Sequence, residues 1–409
     1  MKEFFKVKTI EEVLDLIPGF ARVSRETVAL ARACGRVVAK AVECDEDVPD
    51  FARSTMDGFA VKAASTFGAS DGSPALLEVV GSVEMGTEPS FSVAQGEAAR
   101  IPTGAMLPQG ADAVVMIEHT EEMDSSTIEV YRSVAPLANV VRPGEDLHKG
   151  QVLLPEGARL RPQDLAALAA FGRTEVEVFL RPTVGIVSTG DEVVPVEDLP
   201  FAGQVRDMNT YALVGLCEET GALPVSLGIV QDEEDRLFDV CEKALGACDM
   251  LMISGGSSVG TRDCTLDVFR RLTDSRILVH GVSISPGKPT ILAEVGGKAL
   301  WGLPGHVVSS MVVFLAVVRP FLEHVGGCSK PVALAHSIPA RLSRNLPSAQ
   351  GRVDFVRVRL KEKEDGLWAE PIFGKSGLIH TMVEADGLIR IALNDEGLNQ
   401  GSVVAVFLL

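Results

Sequence analysis

No two cysteines in this sequence have the spacing of a metal knuckle. The seven present (Cys34, Cys44, Cys217, Cys241, Cys248, Cys264 and Cys328) are scattered, odd in number and without a CxxC pair, which argues against a zinc or iron–sulfur site. Basic residues are in deficit: 38 Lys and Arg face 56 Asp and Glu, for a formal charge of −18. With no Lys/Arg stripe, the chain is not expected to bind nucleic acid, whose phosphates are held by basic surfaces. The same charge repels anionic ligands at long range. Any anion site must therefore use local devices: backbone amides, helix ends, cations such as Lys288, Arg142 and Arg262, or a divalent metal. The most apolar run, Val307 to Val318, covers about 12 residues and holds two serines, short of the roughly 20 that cross a bilayer. It reads as a buried helix, with no membrane partner. The opening MKEFFKVKTIEEV lacks an apolar segment with a small-residue cleavage site, so a cytoplasmic location is expected.

What is present is a globular composition, 46% apolar and 23% charged, with Gly and Pro spread along the chain. At about 100–200 residues per domain, 409 residues imply two to four modules. Thr9 and Glu12 form a capping box ahead of Ile10, Val13, Leu14 and Ile17, which predicts a first helix stopped by Pro18-Gly19. A second helix is expected over about 26–34. Short alternating segments between about 50 and 140 read as a β-rich insert. Residues 147–180 return to helix at DLAALAAFG. From Arg181 the rhythm is strand, loop, helix: TVGIVSTG, NTYALVGLCEETG, a strand at 249–254, a helix at 262–272, then a strand and long helix at 299–324. That alternation predicts right-handed crossovers and a parallel sheet. After Pro331, ARLSR, DFVRVRLKEK, LWAEPIF and VVAVFLL read as strands of a small β module.

Three segments carry the strongest signal. Gly297–Ser309, Thr183–Glu192 and Asp249–Gly260 each run from an apolar strand into a loop of small residues. In a parallel sheet such loops, with their free N–H groups and helix N-termini, gather beyond the carboxyl ends of the strands and can converge on one oxyanion ligand. This makes Thr189, Gly190, Gly255, Gly256, Ser258, Pro304 and Ser309 candidate ligand contacts. The Ser254–Gly260 loop has neither the G-x-G-x-x-G spacing nor a GK[ST] ending, so neither the dinucleotide fingerprint nor the P-loop is met. Asp191-Glu192 places two acids at the sheet mouth, where they either cap the next segment or hold Mg²⁺ against a bound anion. Asp263 has the same two readings, capping or metal and proton work. Lys288 stands between Pro286-Gly287 and Pro289, a frame that holds a normally solvated lysine in place for a phosphate or oxo-anion. Judged singly, Asp57 in STMDGFA, Thr103 in PTGA and Asp146 in PGED read equally well as turn residues. The seven histidines, His306 among them, show no HxxxH or HxH pairing and read mostly as surface or packing residues.

Together the segments STMDGFA, RIPTGAMLPQGADAVV, VRPGEDL, GIVSTGDEV, SGGSSVGTRD, PGKP and GLPGHVVSS follow the order seen in the molybdopterin molybdenumtransferase family, which resembles the E domain of gephyrin. The resemblance runs from about residue 5 to the C-terminus. It implies a multidomain α/β plus β fold with four parts: a discontinuous N-terminal domain (1–48 and 147–180), a β-rich insert (49–146), a molybdopterin-binding α/β domain with a parallel sheet (181–327) and a C-terminal small β-barrel (328–409). It implies a homodimer that takes adenylylated molybdopterin and molybdate with Mg²⁺, yields molybdenum cofactor and AMP, and has molybdopterin adenylyltransferase as a partner. By motif match Asp57, Asp146, Glu192 and Asp263 are the catalytic acids, with Asp57, Glu192 and Asp263 on the metal and Thr103, Ser258 and Lys288 on the ligand. The acids would hold Mg²⁺ on the pyrophosphate, Lys288 and backbone amides would fix the oxyanions, and molybdate oxygen or water would cleave the phosphoanhydride. The chain departs from the family pattern at Ser257, Ser285, His306 and Val307, and near Leu266. These departures leave open a paralogue tuned to tungstate or a binding and scaffold protein. Molybdopterin adenylyltransferase shares the α/β domain but needs neither the STMDGFA insert nor the barrel, and both are present.

Overall fold

Alternating side chains on the strand Met250–Ser254 send Met250 and Met252 to one core and Leu251 and Ile253 to another, so this strand is buried on both faces. It lies inside a six-stranded sheet with the order Leu223–Val230, Thr183–Thr189, Met250–Ser254, Lys298–Leu303, Ile291–Val295, Arg276–His280. The structure, a computed structural model, describes residues 7–255, 264–331, 334 and 336–409. The first four strands are parallel, as expected. Ile291–Val295 runs antiparallel to both of its neighbours, Lys298–Leu303 and Arg276–His280. The reason is local: only Gly296 and Gly297 join Ile291–Val295 to Lys298–Leu303, both at positive φ (57° and 80°), and a two-residue loop makes a hairpin, never a crossover.

One face is covered by the helix Asn209–Thr220 and by a continuous helical segment, Val307–Val325, whose middle turn, Phe314–Val318, is π-type. Trp301 is fully buried there, edge-on to Phe321 at 5.0 Å. Val307–Val325 has the length and apolarity of a membrane span, but most of it is packed inside the protein. The other face is covered by Glu234–Ala247 and Cys264–Arg271, through Leu237, Cys241, Val268 and Phe269.

The chain divides into two compact units: residues 1–40, 156–162 and 175–409, and residues 41–155 with 163–174. The larger holds the sheet just described. Its N-terminal helix, Ile10–Leu14, starts on the expected capping box, Thr9 Oγ1 accepting from Glu12 N–H while Glu12 accepts from Thr9 N–H, and the turn Ile17–Gly19 ends it. The helix expected over about 26–34 is absent. Arg25–Ala29 is a strand paired antiparallel with Glu175–Phe179, followed by a 3₁₀ turn at Leu30–Arg32. Its partner lies about 150 residues away, and the β-branched Thr27 and Val28 suit that pairing. The strand Leu223–Val230 and the helix Glu234–Ala247 stand between elements that the sequence reading placed in succession.

The C-terminal strands close on themselves. Val353–Lys363, Gly366–Pro371, Ser337–Leu342, Val403–Leu408 and Gly387–Ile391 pair in that order, and the last pairs back to the first. Leu342, Val358, Ile389, Ile391 and Val406 fill the interior of this five-stranded barrel. Ile284–Ser285 pairs parallel with Val353–Asp354, which ties the barrel to the segment that carries Lys288.

The smaller unit holds the β-rich stretch expected between about 50 and 140, as a six-stranded sheet with the order Ala113–Met116, Gly58–Val61, Glu97–Ile101, Ala75–Ser82, Thr127–Val130, Thr120–Glu122. Phe59 and Val61 pack on one face with Val115 and Ile128, and Ala60 packs on the other with Ile101 and Val114. The helix Pro162–Ala170, the expected DLAALAAFG, belongs to this unit from Gln163 onward.

Candidate functional site

The strands Thr183–Thr189, Met250–Ser254 and Lys298–Leu303 are parallel, so the loops after them leave the same edge of the sheet. Beyond that edge the larger unit has a cleft of about 1230 Å³. Thr189, Gly190 and Glu192 line it from the first loop, Ser254 and Gly255 from the second, and Pro304, Gly305, His306 and Ser309 from the third. Lys288 and its neighbours Pro286 and Gly287 form another wall. The expected convergence of three loops is thus present. Gly256, Ser257, Ser258, Arg262 and Asp263 lie outside the described residues.

Backbone geometry explains the glycines at two positions. Gly255 sits at φ +109, and a Cβ there would lie 2.1 Å from the Thr189 carbonyl oxygen, so only glycine lets the first two loops come this close. Gly287, at φ +123, would collide with Val313 at 2.3 Å. By contrast a Cβ on Gly305 meets nothing nearer than 3.7 Å. Gly255→Ala should cost at least about 2 kcal/mol of stability, as left-handed strain and backbone overlap combine, whereas Gly305→Ala should melt like the parent. Thermal melting of the two variants checks the contrast.

A hydrogen-bonded floor supports the first loop. The Asp207 carboxylate, buried, accepts from Ser188 Oγ at 2.9 Å and from Thr210 N–H at 3.1 Å, which caps the helix Asn209–Thr220. Asp232 accepts from Thr189 Oγ1 at 2.7 Å, and Asp232 N–H donates to Asp191 Oδ1 at 3.1 Å. Asn209 Nδ2 donates to Gly305 O at 2.8 Å, tying the helix start to the third loop. Asp191 therefore organises backbone, while Glu192 is exposed with its carboxylate over Gly190, where an added Cβ would lie 2.9 Å from one carboxylate oxygen.

The barrel contributes the remaining wall. Gln350, Gly351, Arg352, Ser376 and Gly377 all line the cleft. Arg352 is held by Asp354 at 2.8 Å. At the third loop, Ser376 O accepts from Val308 N–H at 3.2 Å, so one N–H of the helix start is occupied by the protein itself. His306, read from sequence as a surface or packing residue, is on the cleft wall with Nδ1 2.8 Å from Ser376 Oγ. Asp207, Asp232, Asn209, Arg352 and Ser376 were not found by sequence reasoning. For Asp207 a signal existed, an Asp three residues before Thr210 at a helix start; for the barrel residues none did.

The smaller unit brings together Asp57 and Thr103. Asp57 Oδ1 accepts from Thr103 N–H at 2.7 Å and from Thr103 Oγ1 at 2.9 Å. These bonds, the backbone one first, hold the Asp57 carboxyl below its ordinary pKa. The neighbouring turn is fixed because Gly104 N–H donates to Ser54 O at 2.8 Å and Ser54 N–H to Ala105 O at 3.0 Å. Two motifs that were ambiguous singly thus form one structure. Asp146 is exposed on the same unit, its N–H donating to Val48 O at 3.1 Å. Among the described residues no three His, Cys, Asp or Glu side chains gather as a metal nest.

The family described as MoeA N-terminal region (domain I and II) matches residues 8–172, that described as probable molybdopterin binding domain matches 185–324, and that described as MoeA C-terminal region (domain IV) matches 339–409. The chain is 34% identical to the molybdopterin molybdenumtransferase of Bacillus subtilis strain 168 over 390 residues, 94% of this chain and 90% of that protein. It is similar to the structure of a molybdopterin biosynthesis MoeA protein from Pyrococcus horikoshii OT3, with 31% identity, a TM-score of 0.86 and coverage of 99% and 100% of the two chains. A second Pyrococcus MoeA structure gives 37% identity, a TM-score of 0.79 and coverage of 98% and 99%. Matched along nearly its whole length, with three loops of its α/β domain gathered at one cleft, the chain belongs to the MoeA family and has a role in molybdenum cofactor biosynthesis.

Proposed function

We propose that the protein is a molybdopterin molybdenumtransferase, which binds adenylylated molybdopterin with its pyrophosphate in the cleft at the sheet edge, accepts molybdate and releases AMP. The observation that carries this reading is the convergence of Gly190 and Glu192, Ser254-Gly255 and Pro304–His306 on one cleft large enough for a nucleotide-sized ligand. The donor chemistry fits Mg²⁺, which usually takes one or two carboxylates and completes its shell with phosphate oxygens and water. Glu192, whose carboxylate is exposed at the cleft, is the cleft residue that would hold it; motif match alone adds Asp263 and, on the smaller unit, Asp57 to the metal-binding acids. When bound, the ion supplies neutralisation of the pyrophosphate charge.

The chain's own residues do the rest. Lys288, between Pro286-Gly287 and Pro289, places a point charge at the anion wall, and its backbone is fixed by Val282 N–H donating to Lys288 O at 3.0 Å. Thr189, Gly190, Gly255, Gly256, Ser258, Pro304 and Ser309 orient the ligand, Thr103 holds Asp57 ionised, and Asp146 serves as a fourth acid. An oxygen of water or molybdate attacks phosphorus and stays on it, in the molybdate case as its Mo–O bond breaks. The phosphoanhydride P–O bond breaks and AMP leaves. The two dithiolene thiols then bind molybdenum, and their protons go to oxo ligands that depart as water. We assign the four-part division at 48, 146, 180 and 327, a homodimer, a cytoplasmic location and supply of substrate by an adenylyltransferase to the same reading. Purified protein mixed with adenylylated molybdopterin, Mg²⁺ and molybdate should release AMP and form metal-loaded cofactor in equal amounts. Tight binding without AMP release would replace the enzyme with a carrier.

A further inference from the structure

The loop Gly374–Gly377 leaves the barrel and runs onto the cleft wall, where Ser376 and Gly377 face the ligand space. From behind it is anchored by the buried Arg357, whose Nη2 donates to Gly374 O and Nη1 to Thr381 Oγ1, each at 2.8 Å. Its cleft side is held differently. The two bonds found there both come from the start of the helix after the third anion loop: His306 Nδ1 to Ser376 Oγ at 2.8 Å, and Val308 N–H to Ser376 O at 3.2 Å. Gly377 packs beside the imidazole, whose Cδ2 lies 3.8 Å from the position of an added Cβ.

We propose that His306 is a positioning residue: it latches Ser376, and with it the barrel's loop, to the third anion loop, so that the barrel wall of the cleft is in place before substrate arrives. The proposal rests on the transferase reading for its effect on substrate, but not for the latch itself. A loop fixed in advance costs less ordering on binding, so losing the latch should weaken substrate capture and leave the chemical step alone. An asparagine at 306 carries Nδ2 on Cγ, the place Nδ1 occupies in histidine, and so can keep the bond to Ser376.

The test uses the full chain and compares the parent with His306→Ala, His306→Asn, Ser376→Ala and the double alanine variant. In ligand-free protein, amide exchange at Val308 and at 376–378 should speed up about 5-fold in His306→Ala and return to the parental rate in His306→Asn, a factor that matches one net hydrogen bond. In turnover, His306→Ala should raise the KM for adenylylated molybdopterin about 5-fold with kcat unchanged, and the double variant should be no worse than either single one. Unchanged exchange in His306→Ala, a failure of asparagine to restore it, or additive effects in the double variant would overturn the latch. If the parent itself releases no AMP, the transferase reading fails while the exchange measurement still decides the latch.

Discussion

Replacing Glu192 by glutamine is expected to lower AMP release by about 100-fold or more and to leave the melting midpoint where it is. The carboxylate is exposed and only its backbone serves the fold, Glu192 O accepting from Val205 N–H at 2.8 Å, so the substitution removes a charge and keeps the shape. The loss should appear in kcat, because an anion's charge is matched most tightly as the phosphoanhydride breaks. Rates of AMP formation at saturating substrate, beside a thermal melt, settle it. A variant that turns over within a few-fold of the parent removes Glu192 from the chemistry.

Asp57→Asn should have an effect of the same order by a separate route. The asparagine carbonyl can still accept from Thr103 N–H and Oγ1, so the turn survives while the negative charge does not. The hydrogen bonds from Thr103 depress the pKa of Asp57, so their contribution is fully present above the ordinary carboxyl range and is lost as pH falls through the depressed value. Thr103→Val removes one donor and should move the Asp57 titration upward, toward that of a free carboxyl. A carboxyl-resolved NMR titration of parent and Thr103→Val reads that shift directly, and activity in Asp57→Asn close to the parental value would leave Asp57 as a turn residue alone.

The three cleft loops were legible because each is a local pattern: a buried strand, then small residues. The pairing of Asp57 with Thr103 was not, since 46 residues separate them and only the pairing of Gly58–Val61 with Glu97–Ile101 brings them together. Long-range pairing also explains Arg25–Ala29, a strand whose partner lies far along the chain. Leu223–Val230 escaped notice because Pro224 and Gly228 break its pattern and half its side chains face water, as befits an edge strand. Glu234–Ala247 buries only Leu237, Cys241 and Ala244, a stripe thin enough to be lost among its charges. The barrel's share of the cleft had no sequence signal, because Arg352 and Ser376 reach it through the pairing of Ile284–Ser285 with Val353–Asp354 and through His306.

The most direct measurement is a crystal structure of the protein with adenylylated molybdopterin. The pyrophosphate should lie among Gly190, Glu192, Gly255, Lys288 and Pro304. A pyrophosphate bound elsewhere, with this cleft holding only solvent, would contradict the account.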